Sequence, residues 1–202
     1  MDKKLLIAVA LAAMVALAAC SEAPQTTATQ KTEVQKESPK PTGPVDAQTA
    51  FYEMYKPART WAADLLPLTL GSGDVAGMKP EDGKFGKWTA VFVSPSRRAA
   101  RTFTYTVGQG VAAGEEEAWS GATPNSRPFQ LVEFTVNSDA AYQAALKPAA
   151  SWVKSHPGKE AAFSLFNASR YPAPVWYILW GTKSSGYGVI VNAMNGAVVK
   201  GK

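Results

Sequence analysis

The sequence predicts an α+β protein built from two tandem helix-plus-antiparallel-sheet repeats, which follow an apolar leader and a polar tether. Three observations predict it. Lys56-Pro57-Ala58-Arg59-Thr60-Trp61 recurs as Lys147-Pro148-Ala149-Ala150-Ser151-Trp152, with four of six residues identical and Thr against Ser a close fifth. Apolar residues step by three or four around each copy, as helix faces do. Downstream of each copy, apolar and polar residues alternate, as in strands with one buried and one wet face. Helix, strands, helix, strands is the order of an antiparallel α+β fold rather than a parallel βαβ fold, and tandem duplication is the economical account.

The leader comes first. Lys3 and Lys4 precede a run of fifteen residues, Leu5 to Ala19, all Leu, Ile, Val, Met or Ala. That fits the basic start and apolar centre of a signal peptide. It is short of the roughly 20 apolar residues that span a bilayer. Ser21 to Val45 then holds 25 residues with no aromatic, Leu, Ile or Met. Such a segment buries too little apolar surface to offset ordering entropy, so a disordered tether is expected, with ends about 25–30 Å apart. Residues 46–128 form the first expected repeat and 129–202 the second.

In the first repeat Phe51, Tyr55, Ala58, Trp61 and Leu65 mark the helix stripe, with Asp46 as N-cap. The phase runs through Pro57, which predicts one kinked helix or two short ones. Strands are expected over 87–93, where Trp88, Ala90 and Phe92 alternate with Thr89, Val91 and Val93, and over 102–107. Phe129 to Val136 reads as a further strand. In the second repeat Tyr142, Ala145, Ala149 and Trp152 give the stripe, with Ser138 or Asp139 as N-cap. Strands follow over 161–166, 175–180 and 187–192, and a short run over 197–199 follows the turn pair Asn195-Gly196. Trp61 and Trp152 are expected to be buried against strand aromatics of their own halves, Trp88 or Phe92 for the first and Trp176 or Trp180 for the second.

Two resemblances follow from quoted residues. Leu17-Ala18-Ala19-Cys20 resembles the lipobox of bacterial lipoproteins. It implies cleavage before Cys20, lipidation of its sulfur and anchoring by several acyl chains, where a single chain binds only marginally. Ser21, in place of the Asp that favours inner-membrane retention in enterobacterial lipoproteins, implies the outer membrane with the domain facing the periplasm. The stretch Pro174-Val175-Trp176-Tyr177-Ile178-Leu179-Trp180, then Tyr187 to Val198, resembles the strand pair of PepSY-type domains. Asn192 stands where Asp is usual and Asn195 where Thr is usual. That resemblance implies an envelope module that binds or inhibits peptidases and has no catalytic residues to transfer.

Composition narrows the chemistry. The net charge is +5, and loss of Asp2, Lys3 and Lys4 with the leader leaves 19 basic and 15 acidic residues. Such a balance lacks the clustered charge of a nucleic-acid binder. Arg97, Arg98 and Arg101 are the compact basic group and read as a solvated hairpin tip, or as a contact for an anionic partner such as lipid head groups or cell-wall polymer. Cys20 is the only cysteine, so no intramolecular disulfide is available, and His156 is the only histidine. Zinc needs several such ligands. His156 sits in Ser155-His156-Pro157-Gly158, a turn, and Glu115-Glu116-Glu117 reads as a solvated loop, with weak calcium binding or docking as alternatives. Trp119, in a Gly/Ser/Pro-rich stretch, and Tyr171 are the candidate partner contacts. No metal, small-molecule cofactor or nucleic acid is expected.

The expectation is therefore a membrane-anchored, non-catalytic binding or peptidase-inhibitory module. Its partner would be an envelope protein or peptidase. A structural lipoprotein, resembling in outline the small helix-plus-sheet lipoprotein of the β-barrel assembly machinery, is the second reading. The tandem plan also resembles the β-lactamase-inhibitor protein in architecture. An enzyme is the third and least supported reading.

Overall fold

The structure, a computed structural model, describes residues 41–199. The leader, Cys20 and the tether as far as residue 40 lie outside the described residues. The elements are α1 (Ala47–Trp61), β1 (Leu66–Gly73), β2 (Lys87–Ser94), β3 (Ala99–Thr106), β4 (Gly110–Ala118), a 3-10 turn (Leu131–Glu133), α2 (Ser138–Ser155), β5 (Ala161–Phe166), β6 (Val175–Trp180), β7 (Tyr187–Asn192) and β8 (Val198–Val199). Among the described residues the fold is α+β, with one antiparallel sheet of eight strands in the order β4-β3-β2-β1-β5-β6-β7-β8 and two helices.

Each helix starts where a polar side chain replaces the missing backbone partners. The Asp46 carboxylate accepts from the Thr49 N–H at 2.8 Å and from the Thr49 hydroxyl at 2.8 Å. Asn137 caps α2, one residue before the expected Ser138, because the Ser138 hydroxyl is turned away to accept the Ala47 N–H of α1 at 2.9 Å. Asn137 in turn donates to Asp46 at 2.8 Å and accepts the Gln48 N–H at 3.1 Å. The two helices thus share their N-terminal caps. Both continue through their prolines, Pro57 and Pro148.

The two halves join at the centre of the sheet, where β1 pairs β5 through Thr69↔Phe166, Leu70↔Leu165 and Gly71↔Ser164. Equivalent bonds recur in both halves. The Trp88 indole donates to the Val45 carbonyl at 2.9 Å, and the Trp176 indole to the Val136 carbonyl at 2.9 Å. Val45 and Val136 each directly precede a helix N-cap. Both helices pack on one face of the sheet: Phe51 lies 5.4 Å from Phe92, and Tyr142 lies 5.9 Å from Trp180. Trp88, Phe92, Phe103, Phe163, Trp176 and Trp180 point to that side and are buried in one core.

Further expectations are corrected. Phe129–Val136 is not a strand: it crosses as coil and a 3-10 turn, its Phe129 N–H goes to Pro67, and Val132 is 76 % exposed. A period-2 pattern without a ladder partner does not make a strand. Trp61 and Trp152 are half-buried rather than buried. They reach the third strand of each half, with Trp61 6.5 Å from Phe103 and Trp152 6.4 Å from Tyr187, because each sits in the last turn of its helix, beyond the second strand. Two strands, β1 and β4, lie where none is expected.

Candidate functional site

Strand alternation sends every second side chain to the face away from the helices. On the central strands these are Thr69 and Gly71 of β1, Thr89 and Val91 of β2, Ala162, Ser164 and Phe166 of β5, and Tyr177 and Leu179 of β6, by the register with their buried neighbours. Among the described residues no helix packs against this face. It forms a groove of about 770 Å³, in the range of small-molecule and cofactor sites.

The walls come from loops. Asn125 and Ser126 close one end. Their segment is fixed to the segment after β5 by Arg127 N–H to Asn167 at 3.0 Å and Ser169 N–H to Pro124 at 2.8 Å. Lys183, from the β6–β7 connection, closes the other end. That connection is held by Thr182, whose hydroxyl lies 2.8 Å from the Ser185 hydroxyl and accepts the Ser185 N–H at 3.2 Å. The lining holds hydroxyl, amide, aromatic and aliphatic groups, and Lys183 is its one charged residue among the described residues.

Tyr171 adjoins this groove. Its ring lies 6.1 Å from that of Phe166, and the Arg170 guanidinium sits 4.8 Å over it. The other candidate contacts lie elsewhere. Arg97 and Arg98 occupy the exposed turn between β2 and β3, and Arg101 follows on β3. Arg97 pairs with Glu116 at 2.8 Å and covers the Trp61 ring at 5.7 Å, while the Trp61 indole donates to Glu116 at 2.7 Å. Those bonds, from Trp61 first and then Arg97, hold the Glu116 carboxyl below the usual glutamate range. Arg101 donates to the Gly114 carbonyl at 2.8 Å. This basic group thus ties the edge strand β4 to its neighbours. Trp119 directly follows β4, half-buried, with its N–H on the Arg98 carbonyl at 2.8 Å.

Glu115, Glu116 and Glu117 belong to β4 rather than to a loop. Among the described residues no three His, Cys, Asp or Glu side chains gather as a metal-ligand set. His156 stacks on Trp152 at 4.0 Å and 12°, and its Nδ1 lies 2.9 Å from the Trp152 carbonyl, so it finishes α2. Cys20 lies outside the described residues. Sequence reasoning missed the groove itself. The glycines of β1 and β7 and the threonines Thr69 and Thr89 were its signal, but they name a face only once the strands are paired.

No family model matches the chain, and none of the curated proteins matches it. Among solved structures, that of a candidate lipoprotein from Clostridium difficile 630 is similar in part, with a TM-score of 0.49 at 11 % identity over 75 % of this chain and 90 % of that one. A likeness at that level identifies neither a family nor an activity. No described helix is long and apolar enough to cross a membrane.

Proposed function

We propose that this chain is a lipid-anchored envelope protein, held through Cys20 to the outer membrane, that works as a non-catalytic binding module built of two PepSY-like halves. Peptidase inhibition is one form such binding takes. The observation that carries the reading is the helix-free face. One side of the sheet holds a continuous aromatic core, whereas the other presents a walled groove with polar and aromatic lining. Shared helix caps and the paired Trp88 and Trp176 bonds support the duplicated plan.

The test joins anchor and face. Mass spectrometry of the mature N-terminus should find acylated Cys20, and a photo-crosslinking residue placed at Thr89 in the groove should form specific adducts in envelopes. The same probe at exposed Thr60 on α1 should not. Unmodified Cys20, or adducts from Thr60 alone, overturns the reading. The structural-lipoprotein reading has its own support in exposed apolar residues, with Val132, Met194 and Val198 exposed by 76 %, 46 % and 39 %. It predicts adducts at those positions instead.

A further inference from the structure

We propose that the helix-free face binds an oligosaccharide chain bearing carboxylate groups, with the Tyr177 ring as the surface on which a sugar ring stacks. The inference rests on that face being the binding face.

The first argument is the posture of Tyr177. Its strand pairs β7 through Leu179↔Gly188 and Tyr177↔Ile190. A Cβ added at Gly188 would fall 2.7 Å from both Cε2 and the hydroxyl of Tyr177. The hydroxyl end of the ring therefore reaches across to Gly188, diagonal to its own strand partner. A half-buried ring held against the strand in this way leaves part of its surface open to whatever enters. Apolar C–H faces of a pyranose match such a surface, and the ring's electron-rich face favours them electrostatically.

Gly71 supplies the second argument. Glycine inside a strand weakens it relative to alanine and marks places where something approaches closely. Here no backbone reason demands it: a Cβ would meet only the Phe163 carbonyl at 3.6 Å, ordinary contact, and its φ is not positive. Gly71 lies on the groove floor between Thr89 and Ser164. Leaving out a side chain there deepens the groove beside two hydroxyls.

The third argument is the chemistry on offer. The central strands spend their main-chain groups on the ladder, so this face recognises through side chains alone. An extended peptide adds to a sheet at an edge, through main-chain bonds. Thr69, Thr89, Ser164 and Asn125 instead present hydroxyls and an amide, which both donate and accept, as sugar hydroxyls do. Charge selects the acidic kind. Lys183 lines the groove, and among the described residues no Asp or Glu does. Arg170 reaches the Asn125 amide at 3.4 Å at the opposite end. Lys87 runs along Gly73, whose added Cβ would fall 2.6 Å from Lys87 Cε. Cations stand at both ends of a floor that is largely apolar and carries a few hydroxyls.

The experiment is calorimetry on the full-length chain in detergent micelles, titrated with tetragalacturonic acid, with maltotetraose and with hexaglutamate. The acidic sugar should bind about tenfold or more tighter than the other two, and increasingly weakly as salt is raised. Tyr177→Ala should weaken it about tenfold, and Tyr177→Phe should stay within about twofold of the parent. Gly188→Ala, which lifts the ring without removing it, should behave like Tyr177→Ala. Thermal melts of each variant should match the parent. No binding of tetragalacturonic acid overturns the proposal, as does equal binding of hexaglutamate that Tyr177→Ala leaves unchanged. Protein adducts at Thr89 without sugar binding sink the sugar and leave the binding face standing. Absence of both removes both.

Discussion

Trp88 and Trp176 are each buried and each donate an indole N–H to the carbonyl ahead of a helix cap. Buried polar groups must be paired, so these bonds fix where each helix enters the core. Trp61 and Trp152, which carry the recurrent motif in sequence, are half-buried. Helical spacing correctly placed them on the apolar stripe, but the stripe's last turn overhangs the third strand, where water reaches the rings. Spacing gives a direction, and depth depends on where the partner strand ends. Consequently Trp88→Ala and Trp176→Ala should each cost about 3–5 kcal/mol. Trp176→Phe should cost about 1–3 kcal/mol, because the Val136 carbonyl loses its indole donor, and Trp88→Phe should cost less, because the Val45 carbonyl keeps the Phe85 N–H at 2.9 Å. Trp61→Ala and Trp152→Ala should cost clearly less than either. Urea melts followed by far-ultraviolet circular dichroism provide the comparison, and equal losses for Trp61→Ala and Trp88→Ala would refute the distinction.

Helices and strands were unequally legible. Both helices showed in sequence because a stripe of 3.6 period survives even a proline. β2, β3, β5, β6 and β7 showed because Trp, Phe, Tyr and Val alternate in them. β1 did not, since Pro67, Gly71 and Gly73 depress strand propensity. It tolerates Pro67 because the β1–β5 pairs begin only at Thr69, and a register irregularity between Pro67 and Thr69 absorbs the proline on the β2 side. β4 did not because Gly110-Val111-Ala112-Ala113-Gly114-Glu115-Glu116-Glu117-Ala118 reads as loop. It is an edge strand, and charges with a bulge near Gly114 are what edges carry to resist further pairing. The cap exchange was invisible, since it joins residues 91 apart. It makes a pH prediction. Partial burial of Asp46 raises its pKa, but the bonds from the Thr49 N–H, Asn137 and the Thr49 hydroxyl outweigh it and leave the group below the usual aspartate value. A depressed folded pKa gives stability that is present above the unfolded pKa, about 3.9, and is lost as pH falls through the folded one. Asp46→Asn keeps the cap, since Asn caps about as well as Asp. It should therefore leave neutral stability nearly unchanged and reduce the acid loss below about pH 4. Some loss should remain, because Asp64, bonded by Ser94, and Glu116 are also depressed. A pH profile identical to the parent's would show that the Asp46 charge contributes nothing.

The recurrence of Lys-Pro-Ala-x-x-Trp announces two halves, yet it does not say whether they fold as one body, since that depends on contacts no local pattern records. Three observations join them: the β1–β5 pairs, the shared caps, and aromatic packing across the seam. Trp88 lies 6.4 Å from Phe163 and 6.3 Å from Trp176, and Phe51 lies 5.5 Å from Phe134. Cutting between residues 128 and 129 would strip each half of a central strand partner, expose the Trp88 and Trp176 faces, and leave the Ala47 N–H without the Ser138 hydroxyl. A fragment of this size buries a smaller fraction of its surface than the whole domain does and has little stability in reserve. Residues 41–128 alone and residues 129–199 alone should therefore lack a cooperative melt and dispersed amide resonances. Mixed in equal amounts, they should recover both, because the seam is formed by complementary surfaces and not by the covalent link. The intact 41–199 segment should unfold in one transition, with tryptophan fluorescence and circular dichroism coincident. A half that melts cooperatively by itself, or an intact segment with two separate transitions, would mean that the sheet is two modules side by side. The groove, whose floor is drawn from β1 and β2 on one side and β5 and β6 on the other, would then lose the rigid seam that holds its two sides in register.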